Sequence, residues 1–166
     1  MEESRFEPRP LLGFLLVEET AGKDGFTGAL MVTDHRGYPM EFRATTPVRP
    51  SAIQRTLYGK QLDHFVGVEL CGKTLLMEAT RKPGIVLVAD RRFLSLAEES
   101  GLDVVAVESG GGDAPPAYAG RFSSPGREQE VMEYLQQCAA RFDLNEVFER
   151  AREALRLLAK EEVRQA

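Results

Sequence analysis

Three apolar runs limit what this chain can fold into: LLGFLLVEE from Leu11, PGIVLVAD from Pro83 and LDVVAVE from Leu102. Each is far shorter than a membrane span and fits a strand buried on both faces, bounded by turn-forming residues. The second and third are separated by RRFLSLAEESG, which suits a helix. A strand, a connection of about a dozen residues and a second strand make the minimum parallel β-α-β crossover.

The first run leads through the turn-rich TAGKDGFTG into GALMVT and YPMEFRAT, joined by DHRG. In YPMEFRAT, Met40, Phe42 and Ala44 alternate with Glu41, Arg43 and Thr45, the period of a half-solvated strand, and Pro39 puts its start at a sheet edge. These segments form an antiparallel meander with Gly37 at a positive-φ turn position. TTPVRPS is held extended by its prolines, and Ser51 with Gln54 forms a capping box for a short helix through about Tyr58. KQLDHFVGVELCGKTLLMEATRK is ambiguous between helix and strand.

From Ser109 the sequence SGGGDAPPAYAGRFSSPG reads as a mobile linker or long surface loop. Two helices follow, the first with Val131, Leu135, Cys138 and Phe142 at helical spacing. In the second, Asp143 caps, Glu146 completes a capping box, Phe142 packs on Val147 as a hydrophobic staple, and Val147, Phe148, Ala151, Ala154, Leu155 and Leu158 form one apolar stripe. The expectation is an α/β fold. Its mixed sheet joins an antiparallel N-terminal meander to a β-α-β half, and a C-terminal αα-hairpin follows. The divisions are an α/β domain over 1–108, a linker or long loop over 109–125 and a helical hairpin over 126–166.

Composition excludes several functions. With 21 Lys and Arg against 26 Asp and Glu, the formal net charge is -5, which gives no support to non-specific attraction to nucleic acid or membrane surfaces. The start MEESRFEPRP lacks the apolar run of a signal peptide, and a cytoplasmic location is expected. Two cysteines, Cys71 and Cys138, fit neither a disulfide framework nor a zinc site, and two histidines rule out metal sites built on several imidazoles.

Two candidate sites stand out. GVELCGKT, residues 67–74, matches the phosphate-loop pattern letter for letter, with Gly72, Lys73 and Thr74 as nucleotide-binding candidates. Its four loop residues are neither small nor flexible, Glu69 would face the phosphates with a like charge, and HFV before it is a poor strand. The plainer reading is a pair of glycines at helix boundaries with Lys73 solvated. The second candidate is a carboxylate set. If the three apolar runs lie side by side, Glu18 or Glu19, Asp90 and Glu108 all end strands, where ligands of open α/β sheets gather. Carboxylates there are suited to hold magnesium. The plainer reading makes Asp90 the cap of the following helix and the glutamates solvated strand ends. Asp34 and His35 of DHRG read as a turn.

The carboxylate plan is that of RNase H-like nucleases, and YGKQLDHFVGVELCGKTLLMEATRKPGIVLVAD resembles their endonuclease V branch, which has a glutamate before a helix and then an aspartate ending an apolar strand after a Pro turn. The resemblance implies a magnesium-dependent nuclease with Glu69 and Asp90 as metal and catalytic residues beside Glu19. At the end of the first strand, Glu18 and Glu19 stand where that family has an aspartate. GFTGALMVTDHRGYPMEFRATTPVRPSAIQRTLYG resembles a block of bacterial proteins of uncharacterised activity, which implies a bacterial origin.

Because each site has a plainer structural reading, the leading expectation is a non-catalytic interaction module. It would be an adaptor or accessory subunit of a bacterial cytoplasmic complex, leaning away from an enzyme and needing no cofactor. A protein partner or a second copy would dock through the C-terminal helices, with no membrane. The alternative is the magnesium-dependent endonuclease V-like nuclease acting on nucleic acid, and the third reading is nucleotide binding through GVELCGKT.

Overall fold

The three apolar runs are central because both of their faces are covered. In the computed structural model, which describes residues 9–111 and 114–165, they form β1 (Leu12–Glu19), β4 (Ile85–Val88) and β5 (Asp103–Glu108). The acidic start through Pro8 and the Gly112–Asp113 pair of the expected linker lie outside the described residues. β2 (Phe26–Thr33) and β3 (Pro39–Ala44) complete the meander. With β6 (Ala117–Arg121) at one edge, the six-stranded sheet runs β3-β2-β1-β4-β5-β6, with β1, β4 and β5 mutually parallel and the other pairings antiparallel. This is the expected mixed sheet of meander plus β-α-β half.

Alternation sorts the side chains into two cores. On one face Leu12, Phe14 and Leu16 of β1 join Ile85, Leu87, Val105 and Val107 under the C-terminal helices α5 (Arg127–Ala139) and α6 (Leu144–Gln165). Phe14 and Phe148 meet edge to face with ring centroids 5.2 Å apart. On the other face Leu15, Leu30, Val86, Val88 and Val104 pack against Val68, Leu75, Phe93 and Leu96. The apolar stripe of α6 through Val147, Phe148 and Ala151 is therefore buried on this chain's own sheet. Asp143 caps α6 through the Asn145 amide at 3.0 Å, while Glu146 turns to Arg150 at 2.8 Å and does not complete a box.

The ambiguous segment is helical as far as Glu78. After α1 (Ala52–Tyr58), whose Ser51–Gln54 capping box is formed as expected, a 3-10 turn (Gly59–Gln61) leads into α2 (Leu62–His64). Eight π-helical residues (Phe65–Gly72) then run into α3 (Lys73–Glu78). The two glycines of GVELCGKT explain the wide turn. A Cβ on Gly67 would stand 2.2 Å from the Phe93 ring, and one on Gly72 would stand 2.9 Å from the Gly67 carbonyl five residues earlier. The helix presses its backbone onto the layer beneath, and only glycine allows that approach.

Of the two readings of GVELCGKT the plainer, helical one is favoured here, and the linker expectation changes. GVELCGKT is no phosphate loop: its backbone is wound into a helix, so its amides are not presented as a nest, and the exposed Thr74 continues that helix. Within the expected linker, Ala117–Arg121 forms β6, an edge strand antiparallel to β5 with Tyr118 opposite Val107. Flanking Pro, Gly and Ser mask it, because strand pairing to a preformed edge needs little from the pairing residues themselves. A short 3-10 turn (Arg91–Phe93) and α4 (Leu96–Ser100) make the crossover from β4 to β5.

Candidate active site at the carboxyl ends of the parallel strands

The crossover from β3 to β4 returns antiparallel to the strands, so the first turns of its helix stand at the strands' carboxyl ends. Pairing of Leu15 with Val88 sets β1 and β4 level there, and residues of the same alternation, Val17, Glu19 and Asp90, lie on the face that carries this helix. The result is a cavity of about 140 Å³ lined by Val17, Glu19, Phe26, Asp63, Arg92 and Phe93. Asp90 sits at its edge through Arg92.

Asp90 is fully engaged. One oxygen accepts from the Arg92 amide at 2.8 Å, capping the 3-10 turn, and the other accepts from the Arg92 guanidinium, also at 2.8 Å. The guanidinium then reaches across to the Asp63 carboxylate of α2. Hydrogen bonding to Arg92 holds the Asp90 carboxyl below its ordinary value, outweighing partial burial. All three side chains are open to water, at 59% for Arg92, 44% for Asp63 and 39% for Asp90.

The other expected carboxylates have separate partners. Glu69 lies six residues beyond Asp63, roughly 9 Å along a helix axis, and meets Lys73 at 3.5 Å. The Lys73 ammonium also bonds Glu99 of α4 at 3.2 Å, so the lysine of GKT serves a helix-to-helix ion pair. Glu108 pairs with Arg91, and Glu18 points to the opposite face, where Arg152 of α6 donates to it at 2.7 Å. The structure thus brings Glu19 and Asp90 to one end and leaves Glu69 with α3 and α4.

Sequence reasoning missed Asp63 and Arg92. The available signals were the position of Asp63 at the start of a returning helix and the Arg91–Arg92 pair directly after Asp90. Asp34 is turn chemistry, as expected: its carboxylate accepts from the amides of Arg36 at 2.8 Å and Tyr38 at 3.1 Å, and His35 bonds Arg9 at 2.7 Å. Both cysteines are buried, and burial pushes each thiol up to about 11, which removes them as nucleophiles.

The magnesium ion implied by the nuclease resemblance does not fit this arrangement. Arg92 stands between Asp63 and Asp90 and Lys73 is on Glu69. Among the described residues no group of three His, Cys, Asp or Glu side chains gathers to hold a metal.

No protein-family model matches the chain, and no curated protein matches it. Among solved structures it is similar to human ENDOV, at 12% identity over 97% of this chain and 89% of that one, with a TM-score of 0.56. It also matches the catalytic domain of human endonuclease V at 17% identity, covering 64% of this chain and 47% of that one, with a TM-score of 0.40. A third match is Ciona intestinalis endonuclease V in complex with a 24mer DNA containing an inosine followed by a ribo-adenosine, at 11% identity, 61% and 47% coverage and a TM-score of 0.38. This chain spans about half the length of the Ciona protein and of the human catalytic domain. At these identities the likeness is one of fold. The expectation of a non-catalytic adaptor, leaning away from an enzyme, gives way to it, because the likeness to human ENDOV runs along nearly the whole chain. The helices expected to dock a partner pack on this chain's own sheet through Val131, Leu135, Val147, Phe148 and Ala151, while Leu158 at the end of the expected stripe is exposed. Among the described residues no helix is long and apolar enough to cross a membrane.

Proposed function

We propose that this chain is a nuclease of the endonuclease V-like plan, acting on nucleic acid at the cleft between β1, β4 and α2. The observation that carries the reading is the cleft at the carboxyl ends of parallel strands that Glu19 and Asp63 line, with Asp90 at its edge and joined to Asp63 through Arg92. Ligands of open α/β sheets bind in that crevice. The overlay with human ENDOV along 97% of the chain supports the same plan for the whole molecule.

The chain's own residues have separable parts in this reading. Asp90, whose carboxyl the Arg92 hydrogen bonds hold below its ordinary value, keeps exposed oxygen surface from which to accept a further hydrogen bond and so orient a water or sugar hydroxyl. Asp63 and Glu19 flank it from the helix and from β1. Arg55 stands over the Phe26 ring at 5.9 Å and, among the described residues, meets no carboxylate within salt-bridge distance, so its charge is available to a phosphate at the cleft's rim.

The test is cleavage of a panel of single- and double-stranded DNA and RNA, an inosine-bearing strand among them, in magnesium or manganese. Wild type is expected to cut at least one substrate, and Asp90→Asn to lose that cutting by a hundredfold or more. Failure of every substrate, or full activity in Asp90→Asn, refutes the reading.

A further inference from the structure

We infer that the hairpin loop at the other pole of the sheet is a phosphate-binding site, in which Arg9, His35 and Arg141 converge as donors to the oxygens of inorganic phosphate or a phosphomonoester. The loop joins β2 to β3 beside the start of β1, where Leu12 pairs with Thr33. The eight residues of β1, roughly 26 Å of extended chain, separate it from the cleft. The site stands independently of the nuclease reading.

Each of the three groups is one residue from a fixed anchor. The Tyr134 hydroxyl of α5 donates to the Pro10 carbonyl at 2.9 Å and so places Arg9. The Asp34 carboxylate accepts from the amides of Arg36 at 2.8 Å and Tyr38 at 3.1 Å, which fixes the turn that carries His35. Phe142 lies over Gly37, where a Cβ would meet its ring at 2.9 Å, and this contact holds the α5–α6 turn with Arg141 beside the loop. Arg150 of α6 closes the arrangement by donating to the Gly37 carbonyl at 3.1 Å. Donors anchored before the ligand arrives lower the ordering cost of binding.

The charges are open to an anion. Arg9 and Arg141 are exposed and, among the described residues, form no ion pair with a carboxylate. Arg9 instead lies 2.7 Å from His35 Nε2, and since a guanidinium only donates, that nitrogen accepts and the imidazole is neutral, with its proton on Nδ1. Burial, with the charges of Arg9, Arg141 and Arg36, holds His35 below its ordinary value against the pull of Asp34. The nearby acids are engaged: Asp34 pairs with Arg36 at 3.0 Å, Glu146 with Arg150, and Asp143 caps α6. On the buried side, burial raises both Tyr134 and Cys138 and keeps them neutral. A phosphate dianion accepts from both guanidiniums and draws a proton onto His35. The Arg9–His35 contact then becomes two donors aimed at one ligand.

The experiment follows the imidazole resonances of the full chain by NMR during titration with inorganic phosphate. The chain holds only His35 and His64, and His64→Gln assigns the pair. His35 is expected to shift saturably while His64 stays in place. Binding should weaken by roughly fivefold or more in Arg9→Ala and in Arg141→Ala, at nearly unchanged melting temperature. Sulfate, whose charge is constant over the range, should bind roughly threefold more tightly at about pH 5.5 than at about pH 7.5, because the protonated imidazole adds a donor. Glycerol phosphate separates the ester from the free ion, and a preference for either that is lost in Arg141→Ala upholds the site. No saturable shift of His35, the same shift with chloride at matched ionic strength, or full affinity in both arginine variants overturns it.

Discussion

Two aspartate–arginine pairs stand at opposite ends of the parallel strands, and they differ chiefly in water. Asp103, at the start of β5, is 3% exposed and accepts from the Ser123 amide at 2.7 Å and from Arg127 at 2.9 Å. Burial pushes its carboxyl up, but the Ser123 amide and Arg127 outweigh that and leave it below its ordinary value. Asp90, past the end of β4, has the same type of partner but lies open to solvent. The buried pair ties β5 to the turn between β6 and α5 and serves the fold. The open pair joins two elements across a cleft and can exchange partners. Residue type alone does not distinguish the two; surroundings do.

The largest break in that comparison should come from Asp103→Ala. Removing one partner of a buried pair strands the other, and with Arg127 partly exposed the loss is expected at about 3 kcal/mol in urea unfolding. A loss under half of that would mean that the buried pair is no weld. Next is Gly67→Ala, which drives a methyl into the Phe93 ring. It should cost about 2 kcal/mol by overpacking, and a well-folded variant of unchanged stability would contradict the close approach of helix to ring.

Glu41 sharpens the comparison through pH. Its carboxyl accepts from the Arg81 amide at 2.7 Å, from Arg43 and from the Thr80 amide at 3.1 Å, and these bonds lower it from 4.5 to about 2. A folded value below the unfolded one contributes stability that is present above about pH 4.5 and lost as pH falls toward 2. Glu41→Gln should flatten that acid limb of the unfolding curve, and an unchanged limb would place the titration elsewhere. The smallest stability effect belongs to Asp90→Asn, under about 0.5 kcal/mol because the pair is exposed. A large loss of stability there would make Asp90 a structural residue like Asp103.

Much of the fold was legible because its signals are local. The apolar runs of β1, β4 and β5, the Ser51–Gln54 capping box and the stripe of α6 each declare themselves within a few residues. β6 was not legible, since Ala117–Arg121 is a strand only because β5 offers an edge. Half of the site was visible for the same reason. Asp90 and Glu19 end recognisable strands, whereas Asp63 depends on where a returning helix begins and how its π-helical turns run against Phe93. Glu69 drew attention through its sequence neighbours, and the fold commits it to Lys73.

The most direct measurement compares cleavage rates of wild type, Asp90→Asn and Glu69→Gln on one substrate, with melting temperatures recorded alongside. The cleft at β1, β4 and α2 predicts that Asp90→Asn loses activity a hundredfold or more at nearly constant melting temperature, while Glu69→Gln stays within a fewfold of wild type. Loss of activity in Glu69→Gln with retention in Asp90→Asn would contradict it.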